Sequence, residues 1–219
     1  MRRRRDGLHP GPATVALAVA AASATGAVVA AEYGRVWKRG SAPLPTEADD
    51  PLEAAAEAAA ETAVVARVGY QQGSRRENSL FNLLATFVVT FITARMIVFL
   101  LRGRARLGPF RNFHVGRRHI HHFVPGIVLA FASGGTAIVS RNPQLDPWLA
   151  LPFGVGLGLT LDESALLLEL DDVYWSEEGI LSVQITLAVT ALLASMALAI
   201  RFLRRGEEAV LDIASAPAV

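Results

Sequence analysis

Apolar residues gather into five long blocks, at about 13–31, 79–101, 120–140, 148–175 and 180–202, with polar segments between them. Each block is near or above the roughly 20 residues with which a helix crosses the hydrocarbon core of a bilayer. The pattern predicts an all-α fold, a polytopic transmembrane helical bundle of about five spans. The first block follows the basic head MRRRRDGLHPGP. It reads as an uncleaved span that acts as a signal anchor, although the small residues Val29-Ala30-Ala31 also fit a signal-peptide cleavage site. On either reading the arginines stay cytoplasmic.

Residues 32–78 break the apolar pattern. A Pro/Ser-containing linker, SAPLPTEADD, leads to Asp50-Pro51-Leu52-Glu53, which has the form of a capping box. An Ala-rich juxtamembrane amphipathic helix is expected from there to about Val68. Glu53, Glu57 and Glu61, four residues apart, form one acidic stripe on it. That stripe is either a solvated face or a docking surface for a partner. The chain thus divides into 1–31 (basic N-terminus and first span or signal sequence), 32–78 (polar linker and juxtamembrane helix), 79–205 (a four-span membrane domain) and 206–219 (a disordered tail).

Charge sets the expected topology. Arg102, Arg104, Arg106, Arg111, Arg117 and Arg118 follow the second span with no acidic residue among them, so this connection is cytoplasmic by the positive-inside rule. The short turn at 141–147 makes the third and fourth spans an antiparallel hairpin. Trp148 at one end of the fourth span, and Tyr174 and Trp175 at the other, have the placement of an interfacial aromatic belt. Gly154 and Gly158 have the GxxxG spacing of close helix packing. Five full spans put Arg201, Arg204 and Arg205 outside, against the same charge rule. Five spans are still preferred, because they bring the acidic residues Asp171, Asp172, Glu177 and Glu178 beside the arginine-rich connection.

Composition narrows the class. The chain is 52% hydrophobic over 219 residues with a net charge of +1, and its charges are segregated by segment. With no cysteine, disulfides, thiolate metal sites and cysteine nucleophiles are excluded. Of 21 basic residues only Lys38 is a lysine, and alanine is abundant, as in GC-rich bacterial genomes. The expected location is a bacterial inner (plasma) membrane, with the lipid bilayer and anionic headgroups as partners and no nucleic acid.

Ionisable residues inside apolar blocks cost roughly 2.5–3.5 kcal/mol each on insertion scales, so they mark candidate sites. Arg95 in the second span either snorkels to the headgroups or pairs with an intramembrane carboxylate. Asp162 and Glu163 form a second intramembrane polar element, with one carboxyl kept protonated by desolvation as the simpler account. With the third span helical from about residue 120, His119 and His122 share a face, level with Glu169 and Asp172 on the fourth span. Asp162 then lies roughly 10 Å deeper. Two imidazoles facing two carboxylates suit a divalent metal such as zinc, iron or manganese. A metal-free proton or hydrogen-bond network and a purely structural pairing remain as alternatives. Arg117, Arg118 and His114 are the candidate contacts for anionic lipid.

The run HIHHFVPGIVLAFASGG, followed by LPFGVGLGLTLDESALLLELDDVYWSEEG, resembles a family of uncharacterised bacterial, mainly actinobacterial, integral membrane proteins. The resemblance covers about residues 81–182, rests on the HxHH and LDE...DVYW segments, and implies a membrane protein with no established activity. Joining histidines and an acid across helices is also similar to membrane-embedded zinc hydrolases of the ceramidase type, with a different span count and spacing. Three functions follow as expectations. One is a metal-dependent hydrolase acting on lipid-like substrates. The second is a transport or proton-coupled component using Arg95, Asp162, Glu163 and Glu169. The third is a non-catalytic scaffold.

Overall fold

Asp50 caps the second helix through its carboxylate, which accepts from the backbone N–H of Leu52 at 2.8 Å and of Glu53 at 3.5 Å, and Pro51 occupies the first helical position. Among the described residues of the computed structural model this helix is one of six: α1 (Pro12–Arg39), α2 (Pro51–Gln71), α3 (Arg75–Leu101), α4 (Phe123–Val139), α5 (Asp146–Asp162) and α6 (Glu177–Ala214). The structure describes residues 12–101, 106–107, 110–111, 114–115, 118–119, 122–140, 142–162 and 177–214. Between α3 and α4, β1 (Arg106–Leu107) pairs antiparallel with β2 (Phe110–Arg111), and β3 (His114–Val115) with β4 (Arg118–His119). Each ladder is two residues long, and the architecture is helical.

Among the described residues, three helices are long and apolar enough to cross a membrane: Val15–Arg39, Arg75–Ile97 and Val183–Leu211. A shorter apolar helix spans Phe123–Val139. The chain is therefore a membrane protein whose apolar helices contact lipid. Five spans are not established by length and composition alone, since the described parts of α4 and α5 have 17 residues each. That is about 25 Å at 1.5 Å per residue.

The order of the bundle follows from backbone contacts at small residues. Asn82 donates to the Pro147 carbonyl at 2.8 Å, Thr86 to the Leu151 carbonyl at 3.1 Å and Arg95 to the Asp162 carbonyl at 2.8 Å, a nearly constant offset that makes α3 and α5 parallel neighbours. Glycines on α5 set the separation on two sides. A Cβ on Gly154 would lie 2.3 Å from the Leu83 carbonyl oxygen of α3, and one on Gly156 would lie 2.6 Å from both Ala130 N and Gly126 O of α4. The Gly154 and Gly158 spacing thus packs on α3, while Gly156 between them packs on α4 in antiparallel register. α6 runs antiparallel to α3, with Gln184 beside Arg95 at one end and Arg201 and Arg205 on Glu77 at the other. Phe87, Val88 and Ala191 form the buried centre between them.

The start of α3 carries a reciprocal cap that the pattern reading missed: Ser74 N–H donates to Glu77 Oε2 at 3.1 Å, and Glu77 N–H to Ser74 Oγ at 3.3 Å. At this end α1, α2 and α6 form a second packed unit around Val36, Val65 and Leu211. α2 thus buries Ala54, Ala58, Val65 and Gly69, while Glu53 and Glu57 of its acidic stripe stay exposed. A Cβ on Gly69 would lie 1.7 Å from the Phe202 carbonyl oxygen, and one on Gly206 would lie 1.8 Å from that of Val65, so α2 and α6 cross backbone to backbone.

The tail expected to be disordered from 206 is instead helical through Ala214. The 38 residues of α6 extend about 57 Å, far beyond a hydrocarbon core of about 30 Å. Glu207, fully buried on this extension, accepts from Arg35 at 2.7 Å and Arg39 at 2.5 Å of α1. Arg204 pairs with Glu32 at 2.8 Å, while Arg201 and Arg205 share Glu77 at 3.1 and 2.9 Å. Arginines that stand against the charge rule when counted along the chain are matched by acids in space.

Candidate functional site

Four helices meet at a polar cluster at the opposite end of the bundle from that unit. Asp162, on the last described turn of α5, has a side chain only 2% exposed. Its Oδ1 contacts Arg95 Nε from α3, and its Oδ2 lies 2.9 Å from His122 Nε2 at the start of α4. From α6, Gln184 accepts from Arg95 Nη2 through Oε1, and donates through Nε2 to the carbonyls of Leu161 at 2.7 Å and Asp162 at 3.2 Å. The two donations fix the direction of the Gln184 amide, which leaves its oxygen facing the guanidinium. Arg95 also lies 5.6 Å from the centroid of the Phe91 ring, one turn earlier on α3.

Each partner is placed by local structure. Arg95 and Phe91 share a face of α3 because they are four residues apart. Asp162 follows Gly154 and Gly158 by two and one turns, so the stripe that brings α5 against α3 also carries the carboxylate to Arg95. His122 is the residue before α4, whose first turn contains Pro125. A proline there gives up an N–H that needs no intrahelical partner.

The electrostatics follow from burial. Arg95 and Asp162 are in direct contact as an ion pair, and His122 meets the same carboxylate. An ionised carboxylate only accepts hydrogen bonds, so beside one the His122 ring presents Nε2–H. Arg95 and His122 are 34% and 30% exposed in their side chains, so the cluster is buried at its acid and reachable at its bases.

These positions revise the expected constellation. His119 and His122 do not share a helical face: α4 begins at Phe123, and His119 lies in β4 opposite His114. A helix running back to His119 would have set Pro125 in its second turn and lost the bond to the residue 121 carbonyl. His122 is level with Asp162, which is therefore not a separate deeper element. Glu163, Glu169, Asp172 and Arg117 lie outside the described residues. Arg118 and His114 lie on the backbone of the β3–β4 ladder. Among the described residues, no three His, Asp or Glu side chains converge as a metal-binding group. Gln184 completes the cluster and is not among the residues singled out from the sequence. Its signal was an amide in the first half of the fifth apolar block, where an unpaired polar group is costly.

Compared with protein-family models, curated proteins and solved structures, the chain matches none.

Proposed function

We propose that this chain is a multi-pass protein of a bacterial inner membrane, with five spans, and that the Arg95–Asp162–His122 cluster makes it a transport or proton-coupled component. Alternation of direction supports the span count. α3 and α5 are parallel, α4 and α6 run against them, and the C-terminal turns of α1 pack beside those of α6. All five apolar helices then fit one slab. The N-terminal arginines and the arginine-rich 102–118 connection fall on the cytoplasmic side, where Arg117, Arg118 and His114 meet anionic headgroups. The arginines of α6 stay on the far side because Glu32 and Glu77 pair with them and offset most of their charge.

The observation that carries the proton reading is a carboxylate buried among four helices and held by one permanent and one titratable cation. Imidazole changes charge between about pH 5 and 8. Proton uptake at His122 adds a positive charge beside Asp162, which must then divide its charge between two cations. That shift weakens the hold of Arg95 on α5 and couples protonation to the α3–α5 contact. A metal centre of zinc, iron or manganese is less well supported, because both Asp162 oxygens and His122 Nε2 are already committed to each other and to Arg95.

Proton flux into liposomes containing the purified protein, read by an internal pH dye under an acid-outside gradient, tests the reading. Wild type should dissipate the gradient and Asp162→Asn should not; equal flux from both refutes it. Metal content measured on wild type and His122→Ala separates the alternatives, since a stoichiometric metal lost in the variant favours the hydrolase.

A further inference from the structure

A second polar site lies at the other end of the bundle, independent of the proton reading. Between the first turns of α3 and α5 is a cavity of about 560 Å³ whose lining includes Arg75, Arg76, Ser79, Leu80, Leu83 and Asp146. Its size falls within the roughly 300–1,000 Å³ of small-molecule sites. The apolar span of α3 begins at Arg75, and exposed Trp148 lies at the same end of α5, so the cavity is at the membrane boundary. Arg201, Arg204, Arg205, Arg35 and Arg39 are matched by acids nearby. Arg75 and Arg76 make no ion pair among the described residues. Asp146, half-buried in the same cavity, makes none either.

We propose that this cavity binds the headgroup of an aminophospholipid carrying both a phosphate and a primary ammonium. The two guanidinium groups take the phosphate through charge-assisted hydrogen bonds. The Asp146 carboxylate takes the ammonium. The Ser79 hydroxyl, which donates to the Arg75 carbonyl at 2.8 Å, keeps its lone pairs for the same ammonium. Exposed Leu80 and neighbouring Leu83 continue the site toward the hydrocarbon as a track for an acyl chain. A headgroup with phosphate alone would place its net negative charge against Asp146. A trimethylated ammonium has no N–H to give that carboxylate. Both signs in one cavity above an apolar track therefore select the primary amine.

Native mass spectrometry of the full chain in detergent, titrated with phosphatidylethanolamine, phosphatidylcholine and phosphatidylglycerol, tests the proposal. The ethanolamine lipid should bind about tenfold more tightly than the other two, as one charge-assisted hydrogen bond implies. Asp146→Asn should erase that preference while retaining binding. The double variant Arg75→Gln/Arg76→Gln should weaken all three lipids about tenfold or more. Far-UV circular dichroism checks that each variant is folded, and if the arginine variant is not, Asp146→Asn alone carries the test. Equal affinity of wild type for the three lipids overturns the proposal, as does an unchanged preference in Asp146→Asn. Displacement of the ethanolamine lipid by inorganic phosphate at equal concentration also overturns it, because it would make the cavity a site for soluble phosphate.

Discussion

Replacing Asp162 with asparagine removes the charge that Arg95 and His122 share while keeping nearly the same shape. Removing one partner of a buried ion pair costs about 3–5 kcal/mol, because the other charge stays buried without compensation. Asp162 is 2% exposed in its side chain, but Arg95 is 34% exposed, so the guanidinium is less confined than the acid. The expected loss therefore lies near the lower end, about 3 kcal/mol. Arg95→Gln should cost a similar amount, since it leaves the less exposed member facing only His122. Combining the two changes removes both charges and leaves two amides able to bond to each other and to Gln184. The double variant should then recover about 2 kcal/mol relative to the sum of the single losses, within the range found for contacting residues. Denaturant unfolding in detergent micelles, followed by far-UV circular dichroism on all four proteins, measures this coupling. Losses that add to within about 0.5 kcal/mol would show that Arg95 and Asp162 do not act as a pair, and the proposed coupling of protonation to the α3–α5 contact would lose its basis.

Gly206→Ala places a Cβ 1.8 Å from the Val65 carbonyl oxygen, where only movement of the helix backbones can make room, and should destabilise the chain by about 3 kcal/mol, the upper end of overpacking costs. Unchanged thermal unfolding of that variant would refute the backbone-to-backbone crossing of α2 and α6. Because the chain has no cysteine, single cysteines introduced at Ala105 and at Glu208 report sidedness cleanly. Glu208 is exposed, whereas its neighbour Glu207 is buried and paired, so the probe at 208 leaves the α1–α6 contact intact. A membrane-impermeant maleimide should label the two cysteines from opposite sides, and labelling of both from one side would rule out five spans.

Elements set by near neighbours could be read from the sequence. The lengths of the apolar blocks, the Asp50 cap before Pro51 and the glycine spacing of α5 each reflect contacts within a turn or two, and α2, the apolar cores of α1, α3 and α6 and the packing face of α5 follow from them. The register of α4 on α5 was also within reach: counting equal numbers of residues outward from the turn at 140–145 sets His122 opposite residues 162–163. Treating the third span as helical from about 120 lost that count, because it put His119 on a helix that Pro125 starts only at Phe123. Which acid each arginine meets was not legible. Helical periodicity names the face on which Arg95 or Arg35 lies but not the helix across from it, and the partners are 67 and 172 residues away. For the same reason residues 206–214 read as a polar tail by composition. Only the seating of α6 against α1 and α2, which buries Leu211 and pairs Glu207 with two arginines, supplies the contacts that hold this stretch helical.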